Sequence, residues 1–192
     1  MKMLTRLNII CFALLIWIFT GCDERVTPKP KGYFRIDLPE HSYRQMSFNG
    51  CPFSFEIPVY AETLPDTNRL SEPCWWYILF PQFNAALYLS YKPVKNNLYQ
   101  YIEDSHTLAY SHTIKANEIN QRKILIGHNG GLMYEIGGNA ASPLQFYITD
   151  STRHFLRGSL YYNALPNADS VAPVTQWLKA DIENMLRTLQ WK

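Results

Sequence analysis

The chain has 192 residues, room for one domain with a sizeable core. Apolar residues make up 47% and aromatic ones 15%, which excludes a disordered or low-complexity chain. The formal charge of +2 vanishes once Lys2 and Arg6 of the leading segment are set aside, leaving 16 basic against 16 acidic residues. Nothing then supplies the counterion-release energy on which a nucleic-acid partner depends.

The leading segment has the layout of a secretory signal. Lys2 and Arg6 provide the positive start, Leu7 to Phe19 is apolar apart from Asn8, and Thr20, Gly21 and Cys22 form a small-residue cleavage site. The order resembles the lipobox of bacterial lipoproteins, so residues 1–21 are expected to be a signal peptide and Cys22 the lipid attachment site. Phe19 stands where an aliphatic residue is usual. The competing reading is an uncleaved anchor, although the apolar run is shorter than the roughly 18 residues that span a bilayer. Several acyl chains at about 0.8 kcal/mol per buried CH2 would hold the protein stably.

Residues 22–31 read as a lipidated tether. Pro28 and Pro30 favour extended polyproline structure, and at about 3.1 Å per residue the folded part lies within roughly 30 Å of the membrane. The expected location is the cell envelope, lipid-anchored and facing the periplasm, with inner or outer membrane left open by Asp23 and Glu24.

With Cys11 in the signal and Cys22 lipidated, Cys51 and Cys74 are the remaining pair. An oxidising compartment and an even count predict a disulfide between them, worth about 3 kcal/mol by loop entropy. Buried thiols or a redox couple are the alternatives, and the long spacing is unlike a Cys-x-x-Cys redox motif.

Residues 32–192 are expected to form a single globular domain. Phe34, Ile36 and Leu38 alternate with Arg35 and Asp37, and Phe53, Phe55, Ile57 and Val59 alternate with polar residues, predicting two half-buried strands. Trp75 to Phe80 and Ala85 to Tyr91 predict two more, joined across Pro81 to Asn84. Leu98, Ile102, Ser105, Leu108 or Ala109, and His112 recur at helical spacing behind a capping Asn97. Lys123 to Ile126 and Leu132 to Ile136 read as a hairpin around a loop at Gly127, His128, Asn129, Gly130 and Gly131. Gln145 to Thr149 and Phe155 to Tyr162 form another across Asp150, Ser151 and Thr152, after a loop spanning Gly137 to Pro143. Val174, Trp177, Leu178, Ile182, Met185, Leu186 and Leu189 line one helical stripe, with Pro173 in the first turn. The order predicts an α+β fold, an antiparallel sheet packed by helices, and it is similar to the PsbP-like α/β/α sandwich.

Three stretches carry a family resemblance. They are Lys29-Pro30-Lys31-Gly32-Tyr33-Phe34-Arg35-Ile36-Asp37-Leu38-Pro39, Leu87-Tyr88-Leu89-Ser90-Tyr91-Lys92, and Gln145 to Thr152 followed by His154-Phe155-Leu156-Arg157-Gly158-Ser159-Leu160-Tyr161. Together they resemble the gliding-motility lipoprotein GldD family over essentially the whole mature chain, the last stretch most specifically. The resemblance implies a part in bacterial gliding and the type IX secretion system that works with it, through contacts with other envelope proteins. It transfers no catalytic motif.

The residues that could carry chemistry are few. Asp150, Ser151 and His154 hold the ingredients of a nucleophilic triad but lie within five positions on a turn and the next strand, without a strained serine elbow or an evident oxyanion hole. The turn reading is preferred, because Asp and Ser side chains bond nearby amides. His106 and His112 are six apart and diverge on a helix, so even with Glu103 and Asp104 they fall short of the i, i+4 pair that faces one metal. His128 reads as a loop residue and His41 has no companions in sequence. Glycines 127, 130 and 131 lack the Lys-Ser/Thr pair of a phosphate cradle. No catalytic residue, metal or cofactor is therefore expected.

A candidate interaction surface comprises Trp75, Trp76, Arg153 and Arg157. Adjacent tryptophans on a strand point to opposite faces, so one belongs to the core and the other either is open, near Tyr77, Tyr88 or Tyr99, to an interface or a sugar, or equally covers a second layer packed by a helix. Arg153 and Arg157 fall on one strand face and suit a carboxylate or an acidic partner patch; the plainer alternative is an ordinary polar sheet face. Two function classes result: a non-enzymatic envelope subunit acting by protein contact, and a small-ligand or glycan-binding lipoprotein with at most weak hydrolase activity.

Overall fold

In the computed structural model, residues 35–164 and 167–192 are described, apart from the side chains at 112 and 114. The signal peptide, the lipid attachment at Cys22, the tether and His112 lie outside that description. Ile36 to Lys192 form one compact unit.

Ten strands of the described residues build two antiparallel sheets. The larger has the order β3-β4-β5-β9-β8-β7-β6 and the smaller the order β1-β2-β10. Chain order runs β1 (Tyr43–Ser47), β2 (Phe53–Pro58), β3 (Glu62–Pro65), β4 (Trp76–Phe80), β5 (Ala85–Pro93), α1 (Leu98–Tyr110), β6 (Ala116–Ile126), β7 (Asn129–Gly138), β8 (Leu144–Thr149), β9 (His154–Tyr162), α2 (Ala168–Arg187) and β10 (Gln190–Trp191). The fold is α+β with antiparallel sheets and helices on both faces, the architecture expected.

Strand alternation separates the two faces of the large sheet. One face presents Ile78, Phe80, Leu87, Leu89, Phe146, Ile148, Leu156 and Leu160. Against it pack Phe53, Phe55 and Ile57 of β2 and the stripe Val174, Leu178, Ile182, Met185 and Leu186 of α2. The opposite face presents Tyr134, Ile136, Tyr147 and Phe155, covered by Ala109, Leu98, Tyr101 and Ile102 of α1. The layers are thus α2 with the small sheet, then the large sheet, then α1.

Several sequence expectations are corrected. The alternation at Phe34, Ile36 and Leu38 does not make a strand: residues 35–42 have no regular structure, and Ile36 and Leu38 are each 37% exposed. Alternation alone gives no ladder without a partner, and β2 pairs with β1 and β10 instead. The glycine loop shrinks to Gly127 and His128, because Asn129, Gly130 and Gly131 enter β7 and pair with Ile126, Leu125 and Ile124. Only Gly127 needs its conformational freedom in this turn, at φ 59°, the geometry that matches the twist of a tight hairpin. Gly137 and Gly138 likewise belong to β7. Pro173 lies inside α2, past the first turn, because Asn167 caps the helix earlier by accepting from the Ser170 amide. Asn97 occupies the cap position of α1 without a side-chain bond to a helix amide; its Oδ1 accepts from the Lys95 amide and its Nδ2 donates to the Tyr101 hydroxyl.

A disulfide joins Cys51, between β1 and β2, to Cys74, before β4, with the Cα atoms 5.5 Å apart. It fastens the small sheet to the edge region of the large one.

Candidate interaction groove

The two tryptophans diverge, although Trp75 lies just before β4 and not on it. Trp76 opens β4 and packs on the core, edge-on to Phe48 at 5.1 Å between ring centroids. Trp75 turns to the α1 side, where its Nε1 donates to the Tyr91 carbonyl at 3.3 Å.

On that side a groove of about 430 Å³ runs between α1 and strands β5 and β9. Trp75, Tyr101 and Phe155 form its aromatic walls, and Ser90 and Arg157 lie within it. The register explains the grouping: Ser90 pairs with Arg157 and Lys92 with Phe155, so alternate residues of both strands emerge together under the helix. Lys92 sits over the Trp75 and Tyr101 rings at 5.5 and 5.9 Å and pairs with Glu72. Asp104, from α1, is the groove's acidic residue and accepts from Gln100.

Arg157 donates from Nη2 to Gln145 Oε1 at 2.7 Å, and burial pushes its acidity constant below the usual guanidinium range. Among the described residues no carboxylate lies within ion-pair distance of it. Two neighbouring buried groups, Gln145 Nε2 and Ser159 Oγ, find no hydrogen-bond partner among the described residues. Arg153 does not join Arg157. It belongs to the turn before β9, exposed, where its amide donates to Asp150 at 2.8 Å; the strand begins one residue later.

Beyond the end of the groove the sheet face carries a row of tyrosines. Leu64, Tyr77, Tyr88 and Ser159 are consecutive partners across β3, β4, β5 and β9. Tyr88 meets Tyr77 at 4.6 Å and Tyr161 at 5.0 Å between ring centroids, and it is 47% exposed. Strand alternation signals these tyrosines; the walls Tyr101 and Lys92 have no signal in sequence, since only the fold brings α1 over β5. Tyr99 is an exposed aromatic on α1.

The remaining candidates take structural places. Asp150 accepts the amides of Thr152, Arg153 and His154 at 2.8 to 3.0 Å. Burial opposes ionisation, yet those bonds hold its carboxyl down at about 2. His154 is buried, with Nδ1 2.9 Å from the Tyr91 hydroxyl and its ring stacked on Trp191; burial lowers its basicity. His106 lies beside the Tyr110 ring. Among the described residues no group of three or more His, Cys, Asp or Glu side chains is arranged to hold a metal, and no helix is long and apolar enough to cross a membrane.

His41 does have companions, all but Tyr43 distant in sequence. Its Nδ1 is 2.7 Å from Asp181 Oδ1, and that carboxylate also accepts from Tyr43 at 3.0 Å and from Tyr60. The His41 ring stacks on Trp177 at 3.8 Å. Asp181 is 1% exposed, so a buried carboxylate on helix α2 clasps the segment entering β1 through donors that remain partly exposed.

No curated protein matches the chain in sequence. The solution structure of cyanobacterial PsbP (CyanoP) from Synechocystis sp. PCC 6803 is similar, with a TM-score of 0.47 and 11% identity over 83% of this chain and 98% of that one. A family model described as gliding motility lipoprotein GldD matches residues 23–191, and the chain belongs to that family.

Proposed function

We propose that this protein is a lipid-anchored subunit of the cell envelope that serves gliding motility and the associated type IX secretion system by holding neighbouring proteins, without turning over a substrate. Cys22 carries the lipid, residues 22–31 form the tether, and residues 32–192 form a single periplasm-facing domain. Family membership supports the motility role. The observation that supports contact as its means is the uncovered tyrosine row, Tyr77, Tyr88 and Tyr161, on a sheet face whose other half is roofed by α1. Tyrosine offers large contact area with little rotamer entropy to lose, which suits interfaces.

Deleting the gene tests the role: colony spreading and secretion should both stop, and normal behaviour in the mutant removes the reading. C22A should abolish acyl labelling and leave uncut precursor; retained labelling contradicts the anchor. A photo-crosslinking residue at Tyr88, introduced in living cells, should capture envelope proteins, and no capture counts against contact through this face.

A second reading is binding of a small ligand or glycan, favoured by the groove beside Trp75. Binding of purified peptidoglycan fragments would support it, and its absence would leave the contact reading alone.

A further inference from the structure

We propose that the groove beneath α1 is a carboxylate-receiving site, in which Arg157 pairs with an acidic group of a partner polypeptide while an adjoining apolar side chain lies against Trp75, Tyr101 and Phe155. The inference rests on the proposed contact role and names the chemistry of its anchor point.

A guanidinium taken out of water without an opposing charge is costly, and proteins ordinarily pair it. Lys92, Lys179 and Arg122 each have a carboxylate. Arg157, half-buried in the groove, has the neutral Gln145 oxygen. A guanidinium has five N–H donors and binds carboxylates two-pronged, so donor capacity exceeds what Gln145 takes. The neighbourhood repeats the shortfall: Gln145 and Ser159, partners across β8 and β9, each bury a polar atom that finds no partner among the described residues.

Charge narrows the ligand class. The groove's lining holds two cations, Lys92 and Arg157, and one anion, Asp104. Because Glu72 already pairs with Lys92, Arg157 is the cation left for a ligand, which suits one carboxylate and disfavours polyphosphates, which Asp104 repels. The aromatic walls require an apolar or aromatic group beside the acid. The volume of about 430 Å³ falls in the range that takes a side chain with its backbone.

Continuity favours a polypeptide over a free acid. Ser90 and Tyr88 stand two residues apart on β5 and therefore on one face, as do Arg157, Ser159 and Tyr161 on β9. A chain anchored at Arg157 continues directly onto the tyrosine row.

The test uses the full chain purified in detergent, with N-acetyl-phenylalanine as the acid probe and its amide and inorganic phosphate as comparisons. Probe binding is followed through the Trp75 indole N–H resonance. The acid should shift that signal, while the amide and phosphate should bind at least about tenfold more weakly, since an ionised partner adds over 1 kcal/mol to such bonds. R157Q should cost the acid a similar factor. T107W, a bulky group on an exposed rim position, should block the probe while leaving Arg157 intact, and it decides the matter if R157Q fails to fold. Equal binding of acid and amide, or undiminished binding in T107W, overturns the site.

A photo-crosslinking residue at Leu108, also on the groove, then tests the occupant in cells. Capture of an envelope protein that R157Q abolishes supports a polypeptide. A groove that binds the acid in solution but captures no protein overturns that choice of occupant. Failure of the probe with capture through Tyr88 intact removes the carboxylate site and spares the contact reading; failure of the Tyr88 capture removes the contact reading itself.

Discussion

His41 and Asp181 are 140 residues apart in sequence and 2.7 Å apart in space, so the segment that leads into the first strand is clasped to the last helix. The carboxylate accepts from His41, Tyr43 and Tyr60 together, and the stacking of His41 on Trp177 orients the imidazole.

Replacing Asp181 with alanine takes away the buried acceptor that three partly exposed donors share. D181A is expected to lose about 1 to 3 kcal/mol of stability, the scale for removing a buried acceptor whose donors still reach water. D181N should cost less, because its carbonyl oxygen still accepts, although its amide meets donors with donors. Urea denaturation of both variants checks the order; equal stability of D181A and the native chain would contradict the clasp.

The same cluster gives the protein an alkaline limit. Burial, then the hydrogen bond to Asp181 and its charge, push Tyr43 from 10.0 to about 12, and Tyr60 is raised for the same reasons. The folded state therefore resists losing protons that the unfolded state gives up near pH 10. This contribution is complete below pH 10 and is lost as pH rises toward 12. Denaturant midpoints measured from pH 9 to 12 should fall, and Y43F should fall less steeply.

An acid limb has the opposite sign. Asp150 is held at about 2, below its ordinary 3.8, so its contribution is present above pH 3.8 and disappears as pH falls toward 2. D150N should flatten stability across that interval while lowering it at neutral pH. A D150N protein with an unchanged acid profile would show that the turn bonds contribute nothing.

Reduction of the Cys51–Cys74 bond should add two hydrogens to the mass and lower stability by about 3 kcal/mol, the loop-entropy scale for a sequence separation of 23. Alkylation of the native, unreduced protein should label neither cysteine.

Two adjacent glycines offer a matched pair. A Cβ at Gly131 would overlap the backbone carbonyl of Tyr147, whereas one at Gly130 meets nothing within 4 Å. G131A should destabilise by roughly 1 to 3 kcal/mol as β7 and β8 are forced apart, with G130A near neutral. Thermal melting separates them, and equal effects would mean these glycines sit in a loop after all.

That pair also marks the boundary of sequence reading. Gly127 to Gly131 looks like a loop because glycine tolerates turns, but the close approach of β8 gives Gly131 a packing role that no local pattern carries. Ile36 and Leu38 show the reverse error: good alternation with no strand beside it. Arg153 and Arg157 have strand spacing, yet the amides that Asp150 gathers delay the strand until His154 and separate the two arginines.

By itself the sequence determined the antiparallel α+β class, most of the strands, both helices and the family, because alternation, helical period and contiguous motifs are local quantities. Tertiary structure alone decided the groove, the carboxylate-free setting of Arg157 and the Asp181 clasp. Each joins residues from elements distant in the chain, and whether a charge finds its partner depends on register and layer packing, which no stretch of sequence contains.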